Sequence, residues 1–484
     1  TSLPSPDYSP QDPASGIPES HSALRAEIHL EQPELDAVAE NSLETKNGAE
    51  LPFLLDFDTL PRVVCEVRDD FSSPLPIVES DLSSSTTTSP SQNQRIRGNF
   101  LKGCKWSPDG LCALTNSEDN CLRVFEVPAR FLNHSGQEPQ SGESEQSICP
   151  LKSVLNMKEA ETVFDFCWYP LMNSRSPETC CLASSCRDHP IHVWDAFTGK
   201  IRATYRAYDN ADEITSAFSL AFTRNGKKLF AGYKHSIRVF DTERAGRDSE
   251  LRKTISKSMQ GIRGIISTIA FTVEESNYYA LGGYAGKACI YSEHNGKVEL
   301  TFKSKEHRPG ITQIQFTPDS TYLLCGGRKS SEILMWDVRA AREPVASFHR
   351  SCTTNQRLSF DIDTTGRYLI TGSDDQSVLV YDMSSPEEKP DPVCTLSSHK
   401  DCVNGVSFHP YAPIFATTSG QRKFALPLPT DQLRGANEMN DSDSDDDFPD
   451  EISEENSLFV WKISTTSPTN EFCDSEILET LNKV

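Results

Sequence analysis

The sequence predicts an all-β fold, a β-propeller of seven blades, and its internal repeat is the first observation behind this prediction. A motif recurs along residues 99–463, with an aromatic or large apolar residue at the end of its first strand and an aromatic residue at the end of its third. The later first-strand residues, Phe271, Phe316, Ile362 and Phe408, lie 45, 46 and 46 residues apart. That spacing matches propeller blades of about 40–45 residues with four strands each.

The ends of the third strands are the second observation, because they carry the aromatic-Asp pairs typical of WD repeats. Trp194-Asp195 and Trp336-Asp337 are full Trp-Asp pairs, and Phe240-Asp241 and Tyr381-Asp382 are aromatic variants. A single blade cannot bury both of its faces, so large aromatic residues are expected to pack between neighbouring blades. The predicted structural anchors are Trp106, Trp168, Trp194, Trp336 and Trp461.

Charge is segregated along the chain. The 47 Lys and Arg residues against 70 Asp and Glu residues give a net charge of −23. Residues 1–98 carry a net −11 and residues 428–484 a net −12, whereas residues 99–427 are neutral. The excess of acid therefore lies outside the repeats, and the total charge does not describe the predicted propeller.

These patterns divide the chain into three regions. Residues 1–98 are predicted to be a mostly disordered, acidic, Ser- and Pro-rich leader, because they cannot bury enough apolar surface to offset the entropy of ordering. The apolar segment 51–64 within it is a candidate for one latch strand. Residues 99–463 are predicted to form the seven-bladed WD-repeat propeller, with an acidic, disordered insertion at 424–456 in the last blade. Residues 464–484 form a C-terminal tail.

Sequence signals for catalysis, metal binding and membranes are weak. The run G-G-Y-A-G-K at 282–287 lacks the spacing of a phosphate-binding loop, and His409, which precedes Pro410, is expected to be a structural histidine. The 15 cysteines include no Cys-x-x-Cys pair, which indicates reduced thiols in the cytosol or nucleus rather than a zinc site or a disulfide scaffold. No apolar run approaches the length of a membrane helix. We expect a binding protein that is not an enzyme, with no cofactor, metal, membrane or DNA contact.

Propeller geometry predicts a binding face that the total charge hides. In each blade, the loop between the second and third strands and the loop leading into the first strand open on the same face. The candidate RNA contacts in these loops are Arg187, His189, Lys234, Arg263, Arg328, Lys329, Gln356, Arg357 and Arg422. The segment 200–263 carries a net +7, and Tyr233 and Tyr284 lie in the same loops. Arginines with interleaved aromatics suit a folded RNA with unpaired bases, whereas a solvated surface with ordinary salt bridges remains the alternative.

Several loops and strand ends resemble one family beyond the generic Trp-Asp pattern. The matching runs are N-F-L-K-G-C-K-W (99–106), P-I-H-V-W-D-A-F-T-G (190–199), R-A-Y (206–208), T-T-N-Q-R (353–357), N-G-V-S (404–407) and S-G-Q-R (419–422). They resemble the telomerase Cajal body protein family, and the resemblance covers 99–423 and 457–463. The tail after Ile463 does not match the family.

The resemblance implies a non-catalytic scaffold that binds small Cajal-body RNAs of the H/ACA class and, in many animals, telomerase RNA. It implies a nuclear protein that directs these particles to Cajal bodies, with telomeres and cytoplasm as further locations. The partners that it implies are dyskerin-type H/ACA core proteins, the telomerase catalytic subunit, coilin and the cytosolic chaperonin. Its RNA contacts would include Arg187, His189, Arg328, Lys329, Gln356, Arg357 and Arg422.

Two further hypotheses concern other parts of the chain. Trp336-Asp337-Val338-Arg339 matches the W-D-x-R signature of substrate receptors for cullin-type ubiquitin ligases, although such an Arg can simply pair with the neighbouring blade. The insertion at 424–456 is expected to leave from the face that carries the basic loops and to shield it from weak, non-specific RNA. Ser442 and Ser444 stand in an acidic context and are candidate phosphorylation sites.

Overall fold

The computed structural model confirms the predicted seven-bladed β-propeller. It describes residues 53–68, 99–132, 147–209, 211–256, 260–273, 277–302, 310–340, 342–385, 387–397, 399–422 and 456–466. Most of the leader, nearly all of the acidic insertion with Ser442 and Ser444, and most of the tail lie outside these residues. Two short 3-10 helices, Ala129–Phe131 and Pro177–Thr179, are found in the described part of the chain.

Six blades are antiparallel sheets of four strands each. Blade one contains β3 (Leu101–Trp106), β4 (Cys112–Ser117), β5 (Cys121–Glu126) and β7 (Ser153–Lys158). Blade two contains β8 (Val163–Trp168), β9 (Cys181–Cys186), β10 (Ile191–Asp195) and β11 (Ile201–Tyr205). Blade three contains β12 (Ser219–Phe222), β13 (Lys228–Gly232), β14 (Ser236–Asp241) and β15 (Glu250–Lys253). Blade four contains β16 (Ile266–Phe271), β17 (Tyr278–Gly283), β18 (Lys287–Ser292) and β19 (Val298–Phe302). Blade five contains β20 (Ile311–Phe316), β21 (Tyr322–Gly327), β22 (Glu332–Asp337) and β23 (Ala346–His349). Blade six contains β24 (Phe360–Ile362), β25 (Tyr368–Gly372), β26 (Val378–Asp382) and β27 (Cys394–Leu396).

Blade seven is built from both ends of the described chain. Its first three strands are β28 (Val403–Phe408), β29 (Ile414–Ser419) and β30 (Leu458–Lys462). The outer strand is β2 (Arg62–Val67), which pairs antiparallel with β30, and the two-residue β6 (Cys149–Pro150) adds to it in parallel. A separate pair joins β1 (Leu54–Asp56) to β31 (Ser464–Thr466). The propeller thus draws on residues well before 99, and the last blade is closed by an N-terminal strand.

The hydrophobic core is divided into seven main clusters, each lying between two neighbouring blades. The five tryptophans predicted as anchors all lie in these clusters and are at most 7% exposed. The indole N–H groups of Trp106 and Trp168 also reach the preceding blade, donating to the Ser407 carbonyl at 3.0 Å and the Lys105 carbonyl at 3.3 Å. Neighbouring blades therefore share both their apolar surface and buried hydrogen bonds, as stacked repeats require.

The junction of blades seven and one depends on a glycine that packs against a histidine. Gly110 has φ +75° in the turn after β3, and its carbonyl bonds His409 Nε2 at 2.7 Å. His409 Nδ1 accepts the N–H groups of Tyr411 and Ala412, so this buried ring is structural, as its position before Pro410 predicted. A Cβ on Gly110 would come within 2.5 Å of the imidazole.

We expect Gly110→Ala to lower the free energy of unfolding by about 2–4 kcal/mol, because backbone strain and a collision with His409 add together. Gly296→Ala is the matched control, since Gly296 has φ +64° but faces only the flexible side chain of Arg252. It should cost about 1–2 kcal/mol from backbone strain alone. Chemical denaturation measures both variants, and equal costs would contradict the proposed role of His409.

A second histidine makes blade seven sensitive to acid. His399 Nε2 bonds the Thr417 hydroxyl at 2.7 Å, Trp461 Nε1 donates to the same hydroxyl at 2.8 Å, and the imidazole stacks on Phe459. Burial lowers the pKa of His399 to about 3, and the positive charge of Arg68 acts in the same direction. The ring must therefore be neutral in the folded blade.

Stability should fall as the pH drops from 6.5 towards 3, because the unfolded chain binds a proton at His399 that the folded chain excludes. The loss is expected to approach about 1.4 kcal/mol per pH unit over that range. Comparing the pH dependence of unfolding for the native chain and for His399→Gln isolates this contribution. An unchanged slope in the variant would show that other groups cause the acid sensitivity.

Candidate nucleic-acid interface

The loops predicted to share one face do so, and we call this face the top face. In three blades the loop after the second strand bonds the connection leading into a first strand. Arg187 N–H donates to the Thr162 carbonyl at 3.1 Å, His235 N–H to Gly264 at 2.7 Å and Arg328 N–H to Gly310 at 2.7 Å. These bonds fix the loops against one another around the mouth of the central channel.

The turns between second and third strands repeat one backbone conformation. A residue with positive φ occupies the turn in blades one to six: Asn120, Asp188, His235, Gly286, Lys329 and Gln376. Asn, Asp, His and Gly tolerate this left-handed conformation, whereas Lys adopts it less readily. Lys329, with φ +51°, is thus held in an unfavourable conformation at the channel mouth. Such strain is often found at functional positions.

The central channel forms a cavity of about 1200 Å³ that is lined by residues from all seven blades. Of the nine predicted RNA contacts, Lys329, Gln356, Arg357 and Arg422 line it together, and Tyr284, 47% exposed, lies beside them. Arg187, His189, Lys234, Arg263 and Arg328 lie in top-face loops but do not line the cavity. The structure therefore brings together Lys329 of blade five, Gln356 and Arg357 of blade six and Arg422 of blade seven, and the other predicted residues do not line the cavity.

Arg422 is positioned by loops from two other blades. Its guanidinium bonds Glu118 of blade one, and its backbone N–H donates to Gln356 Oε1 at 3.1 Å. Gln356 Nε2 in turn donates to the Gly420 carbonyl at 3.2 Å. Glu118 also pairs with Lys102, with Nζ 2.7 Å from Oε2. One nearly buried carboxylate thus holds two cations at the rim, and more than half of the Arg422 side chain remains exposed.

Deeper in the channel, Asp165 lies between two further cations. Arg357 Nη1 and Lys105 Nζ each lie 3.7 Å from its Oδ1. Asp165 also accepts the N–H groups of Phe166 and Leu220, the second from blade three. This carboxylate therefore has structural partners that do not depend on Arg357.

The cavity carries more positive than negative charge. Five cationic side chains and three carboxyl groups line it. One of the acids is Asp361, where burial raises the pKa of the carboxyl, although hydrogen bonds from Gln315 and the Phe408 N–H act against that shift. The neutral total of the repeat region thus conceals a cationic mouth.

The remaining predicted contacts are loop residues around the top face. Arg187 and Lys234 are exposed, and His189 Nδ1 bonds the Arg187 carbonyl at 2.7 Å. Arg263 is exposed, and Arg328 Nε donates to Asn355 Oδ1 at 3.1 Å. These residues thus surround the channel mouth on the top face without lining the cavity.

Arg339, the residue behind the alternative function, lies at the opposite ends of the strands. Its Nε and Nη2 donate to Asp337 at 3.0 and 2.8 Å, so it pairs within its own blade rather than with the neighbouring one. Arg202 and Arg367 pair with the equivalent Asp195 and Asp382, but from other positions in their blades. The pairing with Asp337 gives Arg339 a structural role, and the substrate-receptor function of the W-D-x-R motif stays a prediction.

The described residues also show the state of the cysteines and how His, Cys, Asp and Glu side chains are grouped. Within the described ranges, no group of His, Cys, Asp and Glu side chains is arranged to hold a metal ion. Fourteen cysteines in the same ranges are free thiols, and burial raises the pKa of several, including Cys104 and Cys325 to about 12. No helix in the described part of the chain is long and apolar enough to cross a membrane.

Comparison with known proteins identifies the family. Residues 296–337, 343–382 and 390–423 match the model of the WD40 family, "WD domain, G-beta repeat". Telomerase Cajal body protein 1 of Homo sapiens is 46% identical over 331 residues, which are 68% of this chain and 58% of the human protein. The chain belongs to the telomerase Cajal body protein family. This confirms the resemblance drawn from the loop and strand-end motifs.

Other members and a more distant relative extend the comparison. The telomerase Cajal body protein 1 homolog of Drosophila melanogaster is 36% identical over 333 residues, 67% of this chain and 58% of the fly protein. The guanine nucleotide-binding protein negative regulator 1 of Schizosaccharomyces pombe is 30% identical over 285 residues, 57% of this chain and 69% of that protein. The chain spans about three fifths of the length of its human and fly relatives in the telomerase Cajal body protein family.

Proposed function

We propose that this protein is a non-catalytic scaffold that binds a small RNA at the mouth of its central channel. The observation that carries the proposal is the convergence of Lys329, Arg357 and Arg422 on one cavity. Loops from three different blades carry these cations, and ion pairs with Asp165 and Glu118 position Arg357 and Arg422. Preorganised guanidinium groups suit phosphate oxygens, and Tyr284 beside them offers a ring on which a base can stack.

The family supports a more specific assignment of the RNA. We propose small Cajal-body RNAs of the H/ACA class as ligands, with telomerase RNA as a further one. In this proposal the protein acts in the nucleus and directs the particles to Cajal bodies and telomeres, with dyskerin-type core proteins, the telomerase catalytic subunit, coilin and the cytosolic chaperonin as partners. The names of the human and fly relatives support the Cajal-body and telomerase context.

Crosslinking followed by sequencing of the copurifying RNA tests this function directly. We expect a small set of structured RNAs that share a loop sequence, with crosslinks in that loop. Crosslinked peptides should come from the top face, including those that contain Arg357 and Lys329. Recovered RNAs without a shared loop element, or crosslinks concentrated around Arg339 at the other end of the blades, would contradict the proposal.

A further inference from the structure

Asn116 is a buried polar residue whose hydrogen bonding is incomplete. It lies in β4, is 4% exposed and lines the central cavity. Within the described residues its side-chain oxygen, Oδ1, has no hydrogen-bond partner. An unsatisfied buried acceptor destabilises a fold, so such a group calls for an explanation, and a role in binding a ligand is one.

Asn404 of blade seven lines the same cavity, and its side-chain amide makes structural hydrogen bonds. Its Nδ2 donates to the Leu101 carbonyl at 2.5 Å and the Gly420 carbonyl at 2.7 Å. Its Oδ1 accepts the Thr418 hydroxyl at 3.2 Å. Asn404 thus joins blade seven to blade one, whereas the Asn116 carbonyl contributes no bond of this kind within the described ranges.

The seven blades can be compared at the Asn116 position. Six blades carry a small residue there: Ser185, Gly232, Gly282, Gly326, Gly372 and Thr418. Blade one is the exception, and its Asn116 pairs with Gly103 in β3. A Cβ built on Gly103 would meet nothing within 4 Å, so the space next to this glycine, across the strand pair from Asn116, is open.

An aromatic platform lines the same cavity in the next two blades. Phe164 of β8 and Phe218, just before β12, stack with ring centroids 5.3 Å apart and planes 26° from parallel. Both rings are only partly buried and line the channel. Exposed stacked rings of this kind can bind the flat face of a nucleobase.

We propose that the channel beside blade one binds a single unpaired nucleobase, which stacks on Phe164 and donates a hydrogen bond to Asn116 Oδ1. Lys102 and Arg422, held by Glu118 at the rim, contact the adjoining phosphate. Because the unsatisfied group is an acceptor, bases that present an amino group are preferred over uracil, whose single N3–H donor lies between two carbonyl oxygens that repel the Asn116 oxygen. The inference rests on the proposed RNA binding and assigns it a base-reading site.

The test compares the native chain with Asn116→Ala for binding to short, labelled homopolymers of A, C, G and U by fluorescence anisotropy. The native chain should bind U most weakly. Asn116→Ala should bind the preferred homopolymer about ten-fold more weakly and show reduced discrimination among the four bases. Its melting temperature should be unchanged or higher, because the substitution removes an unsatisfied acceptor. Ser185→Ala, at the same position in blade two, is the matched control and should bind like the native chain.

A second variant tests whether binding needs the open space next to Gly103 as well as the side-chain amide of Asn116. Gly103→Val keeps Asn116 but fills the open space beside it, and it should weaken binding to a similar extent. If Asn116→Ala and Gly103→Val bind all four homopolymers as the native chain does, the base-reading site is wrong while RNA binding stands. If the native chain binds none of the homopolymers and recovers no RNA, both the proposed function and this inference fail.

Discussion

A chain that begins at Arg68 should not form a stable propeller. The truncation removes β2, whose Val64, Cys65 and Val67 are at most 7% exposed, together with the buried Phe57. Each such side chain stabilises the fold by roughly 1.5–3 kcal/mol, and a whole domain is typically stable by only about 5–15 kcal/mol. The loss also leaves β30 as an exposed edge strand of blade seven, which favours aggregation.

Thermal unfolding and size-exclusion chromatography measure the loss of stability in the truncated chain. Two point variants in β2 test whether buried side chains of this strand cause the loss. Val64→Asp places a carboxylate in the core between blades seven and one, where we expect a loss of about 3–5 kcal/mol. Arg62→Asp introduces the same residue at an exposed position of the same strand and should change stability by less than about 0.5 kcal/mol. A truncated chain that melts like the full chain would show that β2 does not close the propeller.

Blade number and anchor residues could be predicted from the sequence because they depend on local, periodic signals. Trp336 and its neighbours repeat at a blade-length period, and each anchor needs only the next blade to become buried. The partner of β30 could not be predicted in this way. Val67 pairs with Leu458, nearly four hundred residues later, and no local pattern specifies that register.

Residues of the candidate site that lie in loops could be predicted from the sequence, whereas those that lie on strands were missed. Arg357 and Arg422 follow from loop position alone, whereas Lys105, Phe164 and Asn116 lie on strands, and which way they face depends on alternation. In five blades the first strand has a register shift near its start, as between Leu101 and Gly103. Because one extra residue reverses the two faces, alternation counted from the sequence misassigns the channel-facing side chains.

Neutralising the channel mouth should remove most of the electrostatic contribution to RNA binding. The test is a triple variant that combines Lys329→Gln, Arg357→Gln and Arg422→Gln. In a plot of log K against log salt concentration, its slope should be smaller in magnitude by about two to three than that of the native chain. Affinity near physiological salt should fall by roughly a hundred- to a thousand-fold, since each of the three cations lost costs about five- to ten-fold. Anisotropy titrations across a KCl series, with an RNA recovered by crosslinking, measure both quantities.

The geometry explains why this variant should still fold. Asp165 keeps Lys105 and two backbone N–H donors, and Glu118 keeps Lys102, so neither acid is left without partners. Because each buried carboxylate keeps these partners and the lost cations are partly exposed, the melting temperature should change little. Arg339→Gln removes one charge from the other face and should leave both the affinity and the salt slope unchanged. If the triple variant kept the native slope, the cations of the channel mouth would not contact phosphate. If the slope changed only in Arg339→Gln, the RNA would bind to the opposite face.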